Sequence, residues 1–348
     1  MPEQLRTGVV GLAFGAMLAN DLAQIPEVKV VAVADHTGRH LRVSRDDFCS
    51  HFGSSVWYDD GLELIETEDL DAVVVATPPS THRQLVTAAA KRNMHVLLEK
   101  PMAVSAEDCV AMREACRAAN VILKMEFPMR ELPAVAQCKD LIANRLGPPL
   151  LISADYVIGP LNEGHWAFDA ATGGSPINEN TCHLIDTLRF LAGDIVAVNA
   201  LVANVRGRGK PTPDCASFSM QFASGAIGSA VGGAAAAVHG SRIGQRINIY
   251  CETGQATLTG RFHTFHRLEW NDSRLRHYER DYGAPPVAPN ELDPFECFPL
   301  HIRAVESFVR SVQEGTLCGA SGEDGQAAVE VCLAVLQSGR TGATVRLS

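Results

Sequence analysis

The chain reads as an α/β protein: an N-terminal doubly wound parallel sheet, followed by an α+β domain on a mostly antiparallel sheet. Two observations carry this. Residues 7–125 alternate short apolar runs with amphipathic helical stretches, the pattern of a parallel sheet with crossover helices. Beyond Gly147-Pro148-Pro149 that alternation gives way to successive strand-like runs. We divide the chain into residues 1–125 and 126–348, with packing of the C-terminal helices back onto the first domain as an open alternative.

In the first part, the strand candidates are Thr7–Val10, Val28–Ala34, Ala72–Ala76, His95–Leu98 and Val121–Met125. Their continuous apolar character fits strands buried on both faces. Helical patterns lie between them at Met17–Ile25, Thr81–Arg92 and Ala106–Ala119. In the second part, strands are expected at Leu150–Val157, Ile195–Val205, Ala216–Phe222, Ala226–Ala236, Arg246–Cys251 and Gln255–Thr259.

Length and composition set the bounds. A chain of 348 residues should bury about three-quarters of its unfolded surface. Its net charge of −10, with no basic block, argues against a nucleic-acid partner. The start, Met1-Pro2-Glu3-Gln4-Leu5-Arg6, lacks the regions of a signal peptide. No run approaches the ~20 apolar residues of a membrane span. The Gly/Ala-rich run from Gly225 to Val238 comes nearest and suits a packed strand better. Ten scattered cysteines form no C-x-x-C pair and read as reduced thiols. A cytoplasmic protein without membrane partners is expected.

The turn after the first strand is Gly11-Leu12-Ala13-Phe14-Gly15-Ala16. Against G-x-G-x-x-G/A, Gly11 makes the tight turn and Ala16 is the permitted small third residue. Ala13 replaces the second glycine, and Gly15 relieves the crowding beside Phe14. A plain structural turn competes with phosphate binding here. The strand-to-helix position favours phosphate. Asp35, 24 residues after Gly11, ends the next strand where a carboxylate would accept the ribose hydroxyls of NAD. It would also repel the extra phosphate of NADP. Arg39 and Arg42 weaken that preference, so NAD is favoured with NADP not excluded.

Thr77-Pro78-Pro79-Ser80-Thr81-His82 follows the strand from Ala72. Thr77, Pro78 and His82 are expected to touch the cofactor, and Ser80 or Thr81 to cap the next helix. Glu99-Lys100-Pro101 follows the strand ending at Leu98, and a helix begins near Ser105. The carboxyl edge of an open α/β sheet is where ligands bind. A lysine there is a mobile cation that can orient or polarise a hydroxyl or carbonyl.

A further candidate cluster lies in Gly173-Gly174-Ser175-Pro176-Ile177-Asn178-Glu179-Asn180-Thr181-Cys182-His183-Leu184-Ile185-Asp186. A helix is predicted from about Glu179 to Leu191, closed by Gly193. Glu179, His183 and Asp186 then share a face. An imidazole beside a carboxylate suits proton transfer, and a buried structural histidine is an equal reading. Metal binding ranks behind both, and Asp186 reads as structural, bonded to a backbone amide or an arginine such as Arg189. Glu126, Arg130, Tyr156, His165, Trp166 and Asp169 are expected around the same cleft, with Arg130 and His165 as substrate contacts. The histidines at 263, 266, 277 and 301 lack tight ligand spacing, and no metal site is expected.

Together these segments resemble the Gfo/Idh/MocA oxidoreductases, the family of glucose–fructose oxidoreductase and inositol dehydrogenase. The resemblance covers the Gly-rich turn, residues 77–82, Glu99-Lys100-Pro101-Met102, the segment ending His183-Leu184-Ile185-Asp186, and Ser321-Gly322-Glu323-Asp324-Gly325. It implies an N-terminal Rossmann domain and a C-terminal domain whose open sheet forms subunit contacts in a homo-oligomer, a dimer or tetramer. It implies NAD(P)-dependent hydride transfer at a secondary hydroxyl or ketone of a sugar, cyclitol or sugar derivative. By the family pattern, Lys100 binds the reacting oxygen and Glu99 and Lys100 border the cofactor. His183 is the acid/base, and Glu179 is catalytic or substrate-binding. Glu179 and Thr181 stand where many members have aspartate and glycine, which enlarges the side chains there. Two alternatives share the fold: an NAD-assisted glycoside-cleaving enzyme and a non-catalytic NAD-binding regulator.

Overall fold

The computed structural model describes residues 4–37, 43–53, 55–159, 161, 164–207, 209–236, 245–261, 264–274, 276–283 and 301–347. The chain divides into two compact units: residues 1–128 with 291–326, and residues 129–290 with 327–348. Arg39, Arg42 and His263 lie outside the described residues.

The first unit begins β1 (Leu5–Val10), α1 (Gly15–Ala23), β2 (Val28–Ala34), α2 (Arg45–His51), β3 (Val56–Tyr58) and α3 (Gly61–Thr67). It continues with β4 (Ala72–Val75), α4 (His82–Lys91), β5 (His95–Leu98), α5 (Ala106–Ala119) and β6 (Leu123–Met125). The strands form a six-stranded sheet in the order β3-β2-β1-β4-β5-β6, all pairs parallel. This is the doubly wound order in which the chain reverses direction beside β1. Helix α5 starts at Ser105, whose side chain accepts the Asp108 N–H at 3.1 Å. It ends at Asn120 in the left-handed conformation.

The expected side-chain cap at Ser80 or Thr81 is not made. The Thr81 hydroxyl instead donates to Pro78 O at 2.8 Å and accepts from the Thr77 hydroxyl, closing the turn onto itself.

The second unit holds α6 (Pro133–Leu141), β7 (Pro149–Val157), α7 (Cys182–Ala192), β8 (Ile195–Ala203), β9 (Cys215–Phe222) and β10 (Ile227–Gly233). Strands β11 (Gln245–Cys251), β12 (Gly254–Arg261), β13 (Thr264–Asp272) and β14 (His277–Asp281) follow. Last in chain order come α8 (Ile302–Glu314), which lies in the first unit, α9 (Gly322–Thr341) and β15 (Val345–Arg346). The second sheet has nine strands in the order β14-β13-β12-β11-β7-β10-β9-β8-β15. It is antiparallel except where β7 and β10 run parallel at its centre. Alternate residues are covered, as the period of two demands. The other face exposes Leu151, Leu201, Ile227 and Tyr250.

Helix α8 belongs to the first unit and completes its core. Val305, Phe308 and Val309 pack with Leu18 and Leu22 of α1, Val9 of β1 and Leu97 of β5. Burial of such side chains is worth about 1.5–3 kcal/mol each. Phe308→Ala should therefore lower unfolding stability by about 3–5 kcal/mol, read as a fall in the urea midpoint. A change under 1 kcal/mol would show that α8 is peripheral to this core.

Candidate functional site

In the first unit the site is built on loops at the carboxyl ends of β1, β2, β4 and β5. Gly11 has φ +87°, and a Cβ there would lie 2.6 Å from the Ala76 carbonyl oxygen. Only glycine allows the β1 turn to approach the end of β4 this closely. Gly11 N–H donates to Ala34 O at 2.8 Å, and Leu12 N–H donates to the Asp35 carboxylate at 2.9 Å. The other Asp35 oxygen accepts the Thr37 N–H at 2.9 Å. Asp35 therefore anchors the glycine turn from the end of β2. Ala13 is exposed, and Phe14 sets its ring edge-on to His301 at 4.9 Å. Gly15 opens α1 without a side-chain cap or an acidic residue in the first turn. Those helix-start N–H groups suit a pyrophosphate, and Asp35 suits a ribose, so the residues fit a dinucleotide.

Thr77 and Pro78 are half-buried at the end of β4. His82 is fully enclosed, with its ring nitrogens 2.8 Å from Thr77 O and 3.0 Å from Met102 O. Burial lowers its pKa against the pull of those carbonyls. It ties the turn after β4 to the segment after Lys100. Glu99 is buried, and its carboxylate accepts the Lys100 backbone N–H at 3.0 Å. The Lys100 side chain, half-buried, follows at the sheet edge, and the Lys100–Pro101 peptide is cis.

Beside Glu99 lie Glu126 and His301, both buried, with donor atoms of the three within 4.8 Å of one another. His301 Nδ1 and Glu126 Oε1 are 2.8 Å apart, a hydrogen-bond separation. The residues are 175 positions apart, and no spacing pattern in the sequence joins them.

In the second unit, the predicted helix from Glu179 begins instead as a wide turn, Ile177–Thr181, before α7. Ser175 Oγ accepts the Asn178 N–H at 3.1 Å, and Gly174, at φ +79°, turns the chain into it. Glu179 is nearly buried, and the Asn180 side-chain amide donates to its carboxylate. His183 is 5% exposed, and its ring centroid lies 6.4 Å from that of Tyr156. Tyr156 is wholly buried, and burial, with Cys182 and Glu179 nearby, raises its pKa well above 10. Its phenol thus remains protonated across the physiological range.

Arg189, the nearby arginine named with Asp186 from the sequence, bonds Asp194 at 2.5 Å. Asp186 instead accepts a bidentate pair from Arg130 at 2.9 and 2.7 Å, both side chains being at least nine-tenths buried. The Arg130 guanidinium also lies 5.1 Å from the Phe190 ring centroid. His165 accepts the Ala167 N–H at 3.2 Å and packs on Trp166 at 5.0 Å. Trp166 lies against Gly173, where a Cβ would meet its ring at 2.5 Å. Asp169 accepts from Ala171 N–H and the Thr172 hydroxyl within its own loop. Arg130→Ala would leave the Asp186 carboxylate buried without its partner, so a loss of about 3–5 kcal/mol is expected. The double replacement Arg130→Met, Asp186→Leu should recover most of it in urea unfolding; no recovery would contradict a structural pair.

A family model described as "Oxidoreductase family, NAD-binding Rossmann fold" matches residues 5–127, and the GFO/IDH/MocA C-terminal domain model matches residues 135–257. Among curated relatives, D-xylose 1-dehydrogenase (NADP(+)) 2 of Haloferax volcanii is 24% identical, covering 98% of this chain and 99% of its own. Myo-inositol 2-dehydrogenase of Thermotoga maritima is 27% identical over 93% of each chain. A solved levoglucosan dehydrogenase, in complex with NADH and levoglucosan, superposes with TM-score 0.84 at 22% identity, covering 99% of each chain. With both domain models matched in order over a six-stranded Rossmann sheet and a mostly antiparallel second sheet, the chain belongs to the Gfo/Idh/MocA oxidoreductase family.

Proposed function

We propose that this protein oxidises a secondary hydroxyl of a sugar, cyclitol or sugar derivative, or reduces the matching ketone, with Lys100 and His183 managing the oxygen and its proton. The observation that carries this is Lys100 itself: a half-buried lysine just past the carboxyl end of β5, with its backbone N–H held by the buried Glu99 carboxylate. A nicotinamide nucleotide would supply the hydride acceptor or donor, held by the helix α1 start and Asp35.

In the oxidation direction, the Lys100 ammonium donates a hydrogen bond to the reacting oxygen. That bond strengthens as the oxygen gains negative charge, so it favours the transition state over the bound alcohol. His183 receives the hydroxyl proton as the carbon–oxygen double bond forms. In reduction it returns that proton. Glu179, kept in place by the Asn180 amide, orients the His183 ring or accepts from a neighbouring hydroxyl. Tyr156, protonated and buried, packs near the histidine.

The xylose and inositol dehydrogenases and the levoglucosan enzyme support a polyhydroxylated substrate class. Among the described residues no helix is long and apolar enough to cross a membrane. The nine described cysteines are free thiols, which suits the reducing cytoplasm, where we place the enzyme. The exposed apolar residues of the second sheet suit contact with a second copy of the chain.

Three measurements test the assignment. With NAD and NADP in parallel, reduced-nicotinamide absorbance should rise on addition of a sugar or cyclitol. Lys100→Met should cut turnover by about 10²-fold or more while cofactor binding, read by fluorescence titration, stays within a few-fold; unchanged turnover would remove Lys100 from the chemistry. Asp35→Ala should cost NAD affinity by about tenfold and move the NAD/NADP ratio toward NADP. An unchanged ratio would refute the ribose contact.

A further inference from the structure

Three central strands of the second sheet set a row of side chains on its covered face. Gly232 of β10 pairs with Tyr156 of β7. Arg246 of β11 pairs with Asp155, so Gln245 stands beside Tyr156 on the other flank. Gln245, Tyr156 and Gly232 all fall at covered positions of their strands. Thr181 completes the row from the wide turn before α7. A Cβ on Gly232 would lie 2.7 Å from the Thr181 hydroxyl, so glycine there makes room for the threonine.

Two members of this row are chemically unfinished. Gln245 is 2% exposed, and neither its amide oxygen nor its amide nitrogen has a hydrogen-bond partner among the described residues. Thr181 is wholly buried, and its hydroxyl likewise has none. A buried polar group without a partner costs about 1–3 kcal/mol, so native folds keep few of them without cause. These two come from segments 64 positions apart yet meet the same row, whose central Tyr156 ring lies 6.4 Å from that of His183.

Resting on the function proposed above, we infer that Gln245 and Thr181 are hydroxyl-recognising residues of the same site and select a neutral, polyhydroxylated ring. The primary amide offers two donors and an acceptor, and the threonine hydroxyl offers one donor and acceptor capacity. A ring hydroxyl is likewise both donor and acceptor, so hydroxyls flanking the reacting carbon complete both side chains. Neither carries charge, so the row gives a sugar carboxylate no counter-ion.

The experiment compares wild type with Gln245→Met and Thr181→Val in the NADH complex. It reads binding of myo-inositol, D-xylose and D-glucose by calorimetry, alongside 2-deoxy-D-glucose, together with melting temperature. Wild type should bind at least one intact polyol. Each variant should weaken the preferred polyol by tenfold or more, and the deoxy sugar should show a smaller loss wherever the missing hydroxyl is the one recognised. Melting temperatures should be equal to or above wild type, because the replaced groups have no partners to lose.

Equal polyol affinity in both variants would overturn the inference while leaving Lys100-dependent turnover, and so the proposed reaction, intact. A melting temperature lowered by several degrees in both would also overturn it, since the side chains would then be bonded within the fold. If wild type binds no polyol and turns none over, this inference and the proposed function fall together.

Discussion

The first unit depends on how closely the glycine turn after β1 approaches the end of β4. Gly11 sits where a methyl group would collide with the Ala76 carbonyl. That approach lets the Gly11 N–H reach the end of β2, while Leu12 reaches the Asp35 carboxylate. Three loops are therefore locked at one sheet edge before any ligand arrives. His82 extends the lock from Thr77 to Met102, fixing the segment that carries Lys100. A lysine is a flexible side chain, and its usefulness in catalysis rests on the rigidity of its backbone. Here that rigidity comes from buried polar groups, each bonded to a backbone amide or carbonyl.

The second unit reaches a comparable result by other means. A wide turn and a nine-stranded sheet bring Glu179, His183 and Tyr156 into one neighbourhood. The bidentate Arg130–Asp186 pair holds α7 to the chain before α6. Its energy comes from mutual burial, because either partner alone would be a desolvated charge. Arg130, expected from the sequence to border the substrate cleft, makes this pair with Asp186.

Much of this was readable in the sequence wherever the signal is local. Ser105 with Asp108, Gly193 after α7, and Glu99-Lys100 after an apolar strand are all contained within a few residues. Such patterns act through backbone geometry that neighbours alone determine. The segment carrying α2, β3 and α3 is less legible, since three-residue β3 has no detectable period and each helix is only seven residues long. For Asp186 the sequence offers a backbone amide or an arginine such as nearby Arg189, and the fold supplies an arginine, Arg130, from 56 positions away. The Glu126–His301 pair and the Gln245 row were illegible for the same reason. Both are products of strand register and chain return, and no periodicity encodes them.

The central strand of the second sheet has a kinetic consequence. β7 finds both of its partners far along the chain: Leu151 pairs with Ile227, 76 positions later, and Asp155 with Arg246, 91 positions later. No hairpin can nucleate it. Its edges stay open until synthesis has passed β10 and β11, so the newborn chain carries an apolar strand with both sides unsatisfied. Long-range pairing of this kind slows folding and prolongs exposure to other chains. The same parallel insertion that sets Tyr156 beside Gly232 makes the nascent second unit the segment most in need of chaperone protection.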